Sequence, residues 1–350
     1  MRMEETKEIA NAVLYEGYLL YPYRPSAIKN RQRWTIGVVY PREYSEANGS
    51  IEPWTMQTEC LVTGSADTSL DIYVRFLHLH LRKTMQAETS NASSKTQPDI
   101  MYAHEKSMAS RLVNEPWEEG VEREVRSLNL SLSNVLEQPR LLEIEFPGER
   151  MMQESSDEST ATIIREQQPL VGTVSITAEP ISTDLFKLRV LIENKTPGTG
   201  TFTSNAVMLY SFVSTHTILQ VNQGTFISLM DPPEALKALA QGCQNLRTWP
   251  VMVGNEGESD TMLSSPIILY DYAQIAPESP GSLFDGTEID EILTLRIMTL
   301  TDEEKEEMRQ GDERAREILE RTESLSPEQF MKLHGVIRSM RPVDEGSEHE

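Results

Sequence analysis

Cysteine is almost missing: two among 350 residues, Cys60 and Cys243, far apart. That excludes a zinc ribbon, a C-x-x-C redox pair and a cysteine-held iron–sulfur cluster. Two reduced thiols are the expectation. Long apolar runs are missing too, and none approaches the roughly 20 residues of a membrane helix. The opening MRMEETKEIANAVLYEG has acids where a secretory signal needs a basic start, and the closing EGSEHE carries no lipidation motif. A cytoplasmic protein without membrane insertion is expected. Basic residues are outnumbered 32 to 55, a net charge of −23. Such a surface repels polyphosphate, which argues against a nucleic-acid partner. No P-loop, Gly-x-Gly-x-x-Gly, Gly-x-Ser-x-Gly or His-Glu-x-x-His motif occurs, and no cofactor is evident.

What remains is dominated by β patterning. The length suggests about two domains. Residues 12–23, 33–40, 60–62 and 72–81 read as strands. In the last, Ile72, Val74, Phe76, His78 and His80 share one face, and apolar residues occupy both. Residues 86–110 are a polar loop. Leu128, Leu130 and Leu132 alternate with polar residues, as do Leu142, Ile144 and Phe146. The polar stretch 149–168 is the expected domain boundary. Beyond it 174–178, 186–192, 206–213, 216–221 and 225–230 read as strands, and 234–241 as a short helix. Thr301-Asp302-Glu303-Glu304 and Ser326-Pro327-Glu328-Gln329 are capping boxes, predicting helices to about Thr322 and over about 326–340. The expected fold is mainly β (α+β): an antiparallel β-sandwich-like body with a C-terminal helical hairpin. Its parts are a β domain over 1–148, a second over 169–298, the hairpin over 299–341 and a tail over 342–350.

Three constellations carry chemistry. The segment 18–42 holds Arg24, Lys29, Arg31, Arg33 and Arg42 without an acid, interleaved with Tyr21, Tyr23 and Trp34. Arginine with aromatics makes a protein-contact patch, with Asn30 beside it, or a cradle for a small anion. It is equally a surface hairpin whose cations balance acids elsewhere. The segment 264–291 concentrates Asp271, Glu278, Asp285, Glu288, Asp290 and Glu291 among three prolines. Asp271, Asp285, Glu288 and Asp290 are candidate ligands for a hard cation, but no EF-hand spacing is present. Asp285, Glu288 and Asp290 also suit partner docking, or a solvated loop. His78 and His80, two apart on one strand face, have metal-ligand spacing but lack a third ligand in the sequence.

The stretches 12–34, TWPVMVG (248–254), SSPIILYDYAQIAPESPGSLFDGTEIDEILTLR (264–296) and LTDEEKEEMRQGDERAREILERTE (300–323) carry a resemblance. They are similar to an uncharacterised family of about this length, encoded beside nickel–iron hydrogenase genes of the aerobic high-affinity type. The resemblance spans most of the chain and weakens at 86–110 and 149–168. It implies a non-enzymatic accessory role in hydrogenase maturation or assembly, with a hydrogenase subunit or maturation factor as protein partner. The rivals are a metal-dependent or small-ligand-binding enzyme using the 271–291 carboxylates, and a structural β-sandwich subunit of a larger complex.

Overall fold

From Thr55 to Ala87 the chain has no proline, is rich in β-branched and aromatic residues, and contains one glycine. Nothing there interrupts a ladder, and the whole stretch forms one strand, β1 (Thr55–Ala87). The structure is a computed structural model describing residues 6–11, 14, 36–49, 51–87, 110–112, 116–154, 161–198, 206–273, 297, 300–309 and 313–324. Its strands make one 11-stranded, curled antiparallel sheet built on β1.

The start of β1 pairs with β8 (Leu185–Asn194). Its middle lies between β9 (Val213–Ile227) and β3 (Trp117–Ser131). Its end pairs with β6 (Ala161–Gln167) and β2 (Ser110–Leu112). β7 (Leu170–Pro180) and β4 (Arg140–Phe146) continue from β8, and β11 (Thr261–Ser265) and β10 (Trp249–Met252) from β9. β5 (Glu149–Glu154) adds to β6. β1 and β9 slip in register between Gly64 and Ser69. A Cβ on Gly64 would collide with the Thr68 side chain, so this bulge requires glycine.

Each face of β1 has its own core. Met56, Cys60, Val62, Leu70, Ile72, Val74 and Phe76 meet side chains from β4, β7, β8, β9, β10 and β11 inside the curl. The helix α2 (Leu132–Glu137) adds Leu132 and Val135 there. On the other face Leu77 and Leu79 pack with Leu14, Ile297, Leu300 and Leu319. Leu319 belongs to α5 (Glu313–Ser324). Ala10 packs beside Tyr73, Ile218 and Leu263. Pieces from both ends of the chain thus cover the outer face. The edge strand β10 is blocked to further pairing at two points. Pro250 has no N–H to offer, and at Met252 both backbone groups are taken, N–H by Asp271 Oδ1 and C=O by Tyr272 N–H.

Several expectations change. The strands form one sheet rather than a sandwich, and β1 pairs with strands on both sides of the expected domain boundary. Within 149–168, β5 and β6 pair with each other. Leu14, inside the strand expected over 12–23, is helical. Over 33–40 the described part makes only a Val39↔Phe212 bridge, then the helix α1 (Arg42–Ala47). Gly37 turns the chain there at φ +56°, against Pro266. Residues 206–213 give a 3-10 helix, Ala206–Tyr210, because Ser211 Oγ donates back to Val207 O and favours a helical turn. The single strand expected at 60–62 and that at 72–81 fuse into β1. The short helix at 234–241 forms as a 3-10 turn followed by α3 (Lys237–Gln241).

The first tail helix divides into α4 (Asp302–Arg309) and α5, with Gly311 between them in the sequence. Lys305 and Arg309 both reach Glu323, which a continuous helix would place far away. The helix expected over 326–340 lies outside the described residues. Among the described residues no helix is long and apolar enough to cross a membrane.

Candidate functional site

The inner face of β1 changes chemistry after Phe76. Period-two alternation carries the apolar row on to His78, His80 and Arg82, all buried. Register sets their neighbours. His80 stands between Glu119 of β3 and Gln167 of β6, and Arg82 pairs with Arg165 of β6. His78 opposes Val121, and Phe76 opposes Arg123. A polar group thus closes one end of the core.

Its parts hold one another. Glu119 accepts from Arg82 Nη1 at 3.0 Å and from Arg165 Nε at 2.6 Å. Arg123 Nη2 donates to Gln167 Oε1 at 2.6 Å, and its guanidinium lies 4.7 Å from the Phe146 ring centre. Gln167 Nε2 donates to Pro147 O. His78 Nε2–H donates to Gln168 O at 2.9 Å. A carbonyl only accepts, so Nε2 carries the proton and Nδ1 a lone pair. The rings of His78 and His80 meet edge to face, centres 5.0 Å apart and planes at 89°. Burial, then His80 and Arg123, press the His78 pKa down to about 3. Burial and Arg123 press His80 down to about 4, against a partial upward pull from Glu119. Both rings are neutral at physiological pH.

Two other buried polar sites accompany this one. Across the sheet, Arg75 pairs with Glu122 at 3.1 Å and Glu124 at 3.7 Å. Beside it His216 donates Nδ1–H to Ser214 O at 3.0 Å, and burial and Arg75 push its pKa down to about 3. Glu59 fastens the loop before β10: Gln244 N–H donates to Oε2 at 2.7 Å, and Asn245 brackets the Glu59 backbone. Burial raises both thiols, Cys243 to about 11 and Cys60 well above, so neither is a nucleophile at neutral pH. Both are free.

The sequence candidates divide sharply. His78 and His80 come together on one face, as their spacing implied. Asp271 is a structural clip, with Oδ1 accepting from Met252 N–H at 2.7 Å and Oδ2 from Ser228 Oγ at 2.5 Å. Both oxygens being occupied, it is a poor metal ligand. Tyr21, Tyr23, Arg24, Lys29, Asn30, Arg31, Trp34, Asp285, Glu288 and Asp290 lie outside the described residues. Among the described residues no three His, Cys, Asp or Glu side chains gather as a metal site. Sequence reasoning missed Glu119, Arg123, Arg165 and Gln167. Their only signal was charge at inward positions of half-buried strands.

The fold and site together define a mainly β, single-sheet protein with a buried ionic and imidazole group at one end. No family model matches the chain, and no curated protein matches it.

Proposed function

We propose that the chain is a non-enzymatic cytoplasmic accessory protein acting through protein–protein contacts, in the maturation or assembly of a nickel–iron hydrogenase. The contact reading is carried by one observation. Met230 and Tyr270, 48% and 78% exposed, stand beside the two partners of a single clip, and Ile268, 68% exposed, lies two residues before Tyr270. Ser228 Oγ donates to Asp271 next to Tyr270, and accepts from Met230 N–H. Large apolar side chains gathered at the surface mark interaction sites, and tyrosine is prominent among interface anchors. Ile268 and Tyr270 stand in 264–296, one of the stretches that carry the family resemblance. The hydrogenase part of the reading rests on that resemblance. A net charge of −23 favours a basic partner surface.

The test is affinity capture of the tagged chain from its own cells, beside a Tyr270→Glu variant, with partners identified by mass spectrometry. A hydrogenase subunit lacking its metal centre, recovered by the parent and depleted with the variant at unchanged Tm, is the expected result. Recovery of mature enzyme instead would make the chain a structural subunit. Recovery of no hydrogenase component would sink the proposal.

A further inference from the structure

The edge of a β-sheet presents unpaired N–H and C=O groups, and folds close or charge such edges against other chains. β10 is closed by Pro250 and by the contacts of Asp271 and Tyr272 to Met252. Among the described residues β3 and β4 pair on one side only, and both carry charge at alternate positions. Glu118, Glu122, Glu124 and Arg126 do so on β3, Glu143 and Glu145 on β4.

β5 is different. Among the described residues its one strand partner is β6. Its centre, Met151-Met152-Gln153, has neither charge nor proline. Met151 and Met152 are 46% and 66% exposed, and successive positions on a strand face opposite ways. Met152 stands opposite the buried Ile164 of β6, so the apolar row on that face runs to the open edge and stops there.

The strand is also complementary to itself. Two copies related by a dyad perpendicular to the sheet pair antiparallel, and the pleat then admits only registers that set same-face positions opposite each other. With Met151 on the dyad, Arg150 meets Met152 and Glu149 meets Gln153. With Met152 on the dyad, position 150 meets position 154, an arginine opposite a glutamate, twice over. Opposite charges across strands favour pairing, and this register also continues the Ile164–Met152 row into the second copy. Arg150 is 61% exposed and comes no nearer than 3.7 Å to Glu166, which leaves it available. We propose that β5 is a self-association edge, on which a second copy of this chain continues the sheet antiparallel with Met152 on the two-fold axis. The contact is isologous, so it closes as a dimer.

Sedimentation velocity of the full chain over a concentration series tests it, at physiological ionic strength, where salt screens the repulsion between copies of charge −23. A reversible monomer–dimer equilibrium is expected. Met152→Lys and Arg150→Glu should each weaken it at least tenfold at unchanged Tm. Combining Arg150→Glu with Glu154→Arg should restore it. Ile51→Glu, at an exposed apolar residue elsewhere, should dimerise like the parent. A monomer at every concentration overturns the proposal. So does a dimer indifferent to both single changes, or a double variant no better than Arg150→Glu alone. Amide exchange needs no variant: residues 150–154 should exchange more slowly in the concentrated parent, and equal rates in dilute and dimeric samples refute the interface. The readout is self-association, so it is independent of hydrogenase capture.

Discussion

Glu119 and Glu323 present one chemistry in two settings. Each carboxylate is held by two cations, Arg82 and Arg165 for the first, Lys305 and Arg309 for the second. Glu119 is buried at the end of the core, whereas Glu323 lies at the surface of α5. In the interior, charges attract strongly and an unpaired one is costly. At the surface, water and salt screen the same contacts. The hydrogen bond from Arg309 still holds the Glu323 carboxyl below the ordinary carboxylate range. The comparison teaches that location, more than partner count, sets what an ion group contributes to this fold.

The sharpest way to break that comparison is Glu119→Gln. It leaves Arg82 and Arg165 without their shared anion, and should cost about 3–5 kcal/mol in urea unfolding. A loss below about 1 kcal/mol would show that the interior is wet and the contrast false. Acid probes the same interior through its histidines. His216 and His78 titrate at about 3 and His80 at about 4 in the folded chain, against about 6.5 when unfolded. Between those limits the unfolded chain binds more protons. Stability conferred by the neutral rings is therefore complete above about pH 6.5 and falls as pH drops toward 3. For the fully buried His216 the slope is about 1.4 kcal/mol per pH unit. Urea titrations at pH 7.5, 6 and 5 measure it, and His216→Gln should flatten the profile by that amount.

Smaller effects sharpen the contrast. Asp271→Asn keeps one acceptor where two are used, so it should cost about 1–2 kcal/mol. Asp271→Ala removes both acceptors and should in addition speed amide exchange at Met252, whose N–H then loses its partner. Smallest is Glu323→Gln, which should leave Tm within error, with any shift abolished by high salt. A large salt-resistant loss there would place Glu323 in a drier setting than its exposure indicates.

Legibility in the sequence followed the range of the interaction. β7 and β8 were readable because Val174, Ile176, Leu188, Val190 and Ile192 alternate with polar neighbours and all turn inward. The shared face of His78 and His80 was readable for the same reason. The continuity of β1 across Gly64 was not, since a glycine and polar cluster read locally as a turn. Nor was the 3-10 helix at Ala206–Tyr210, whose composition suits a strand. It is fixed by Ser211 Oγ on Val207 O and by Asn194 Nδ2 donating to Tyr210 O. The cluster of Glu119 with Arg82 and Arg165 was invisible because its three members come from three different strands, β3, β1 and β6.

By itself the sequence determined the β class, the inward and outward faces of most strands, the acidic surface and the pairing of two histidines on one face. These follow from period-two geometry and charge, which are local. Only the tertiary structure decided that the strands make one curled sheet, that Asp271 is a clip, and that the two histidines end up neutral beside Arg123. Those outcomes depend on cross-strand register and burial, which join residues dozens to hundreds of positions apart and leave no mark in any short stretch of chain.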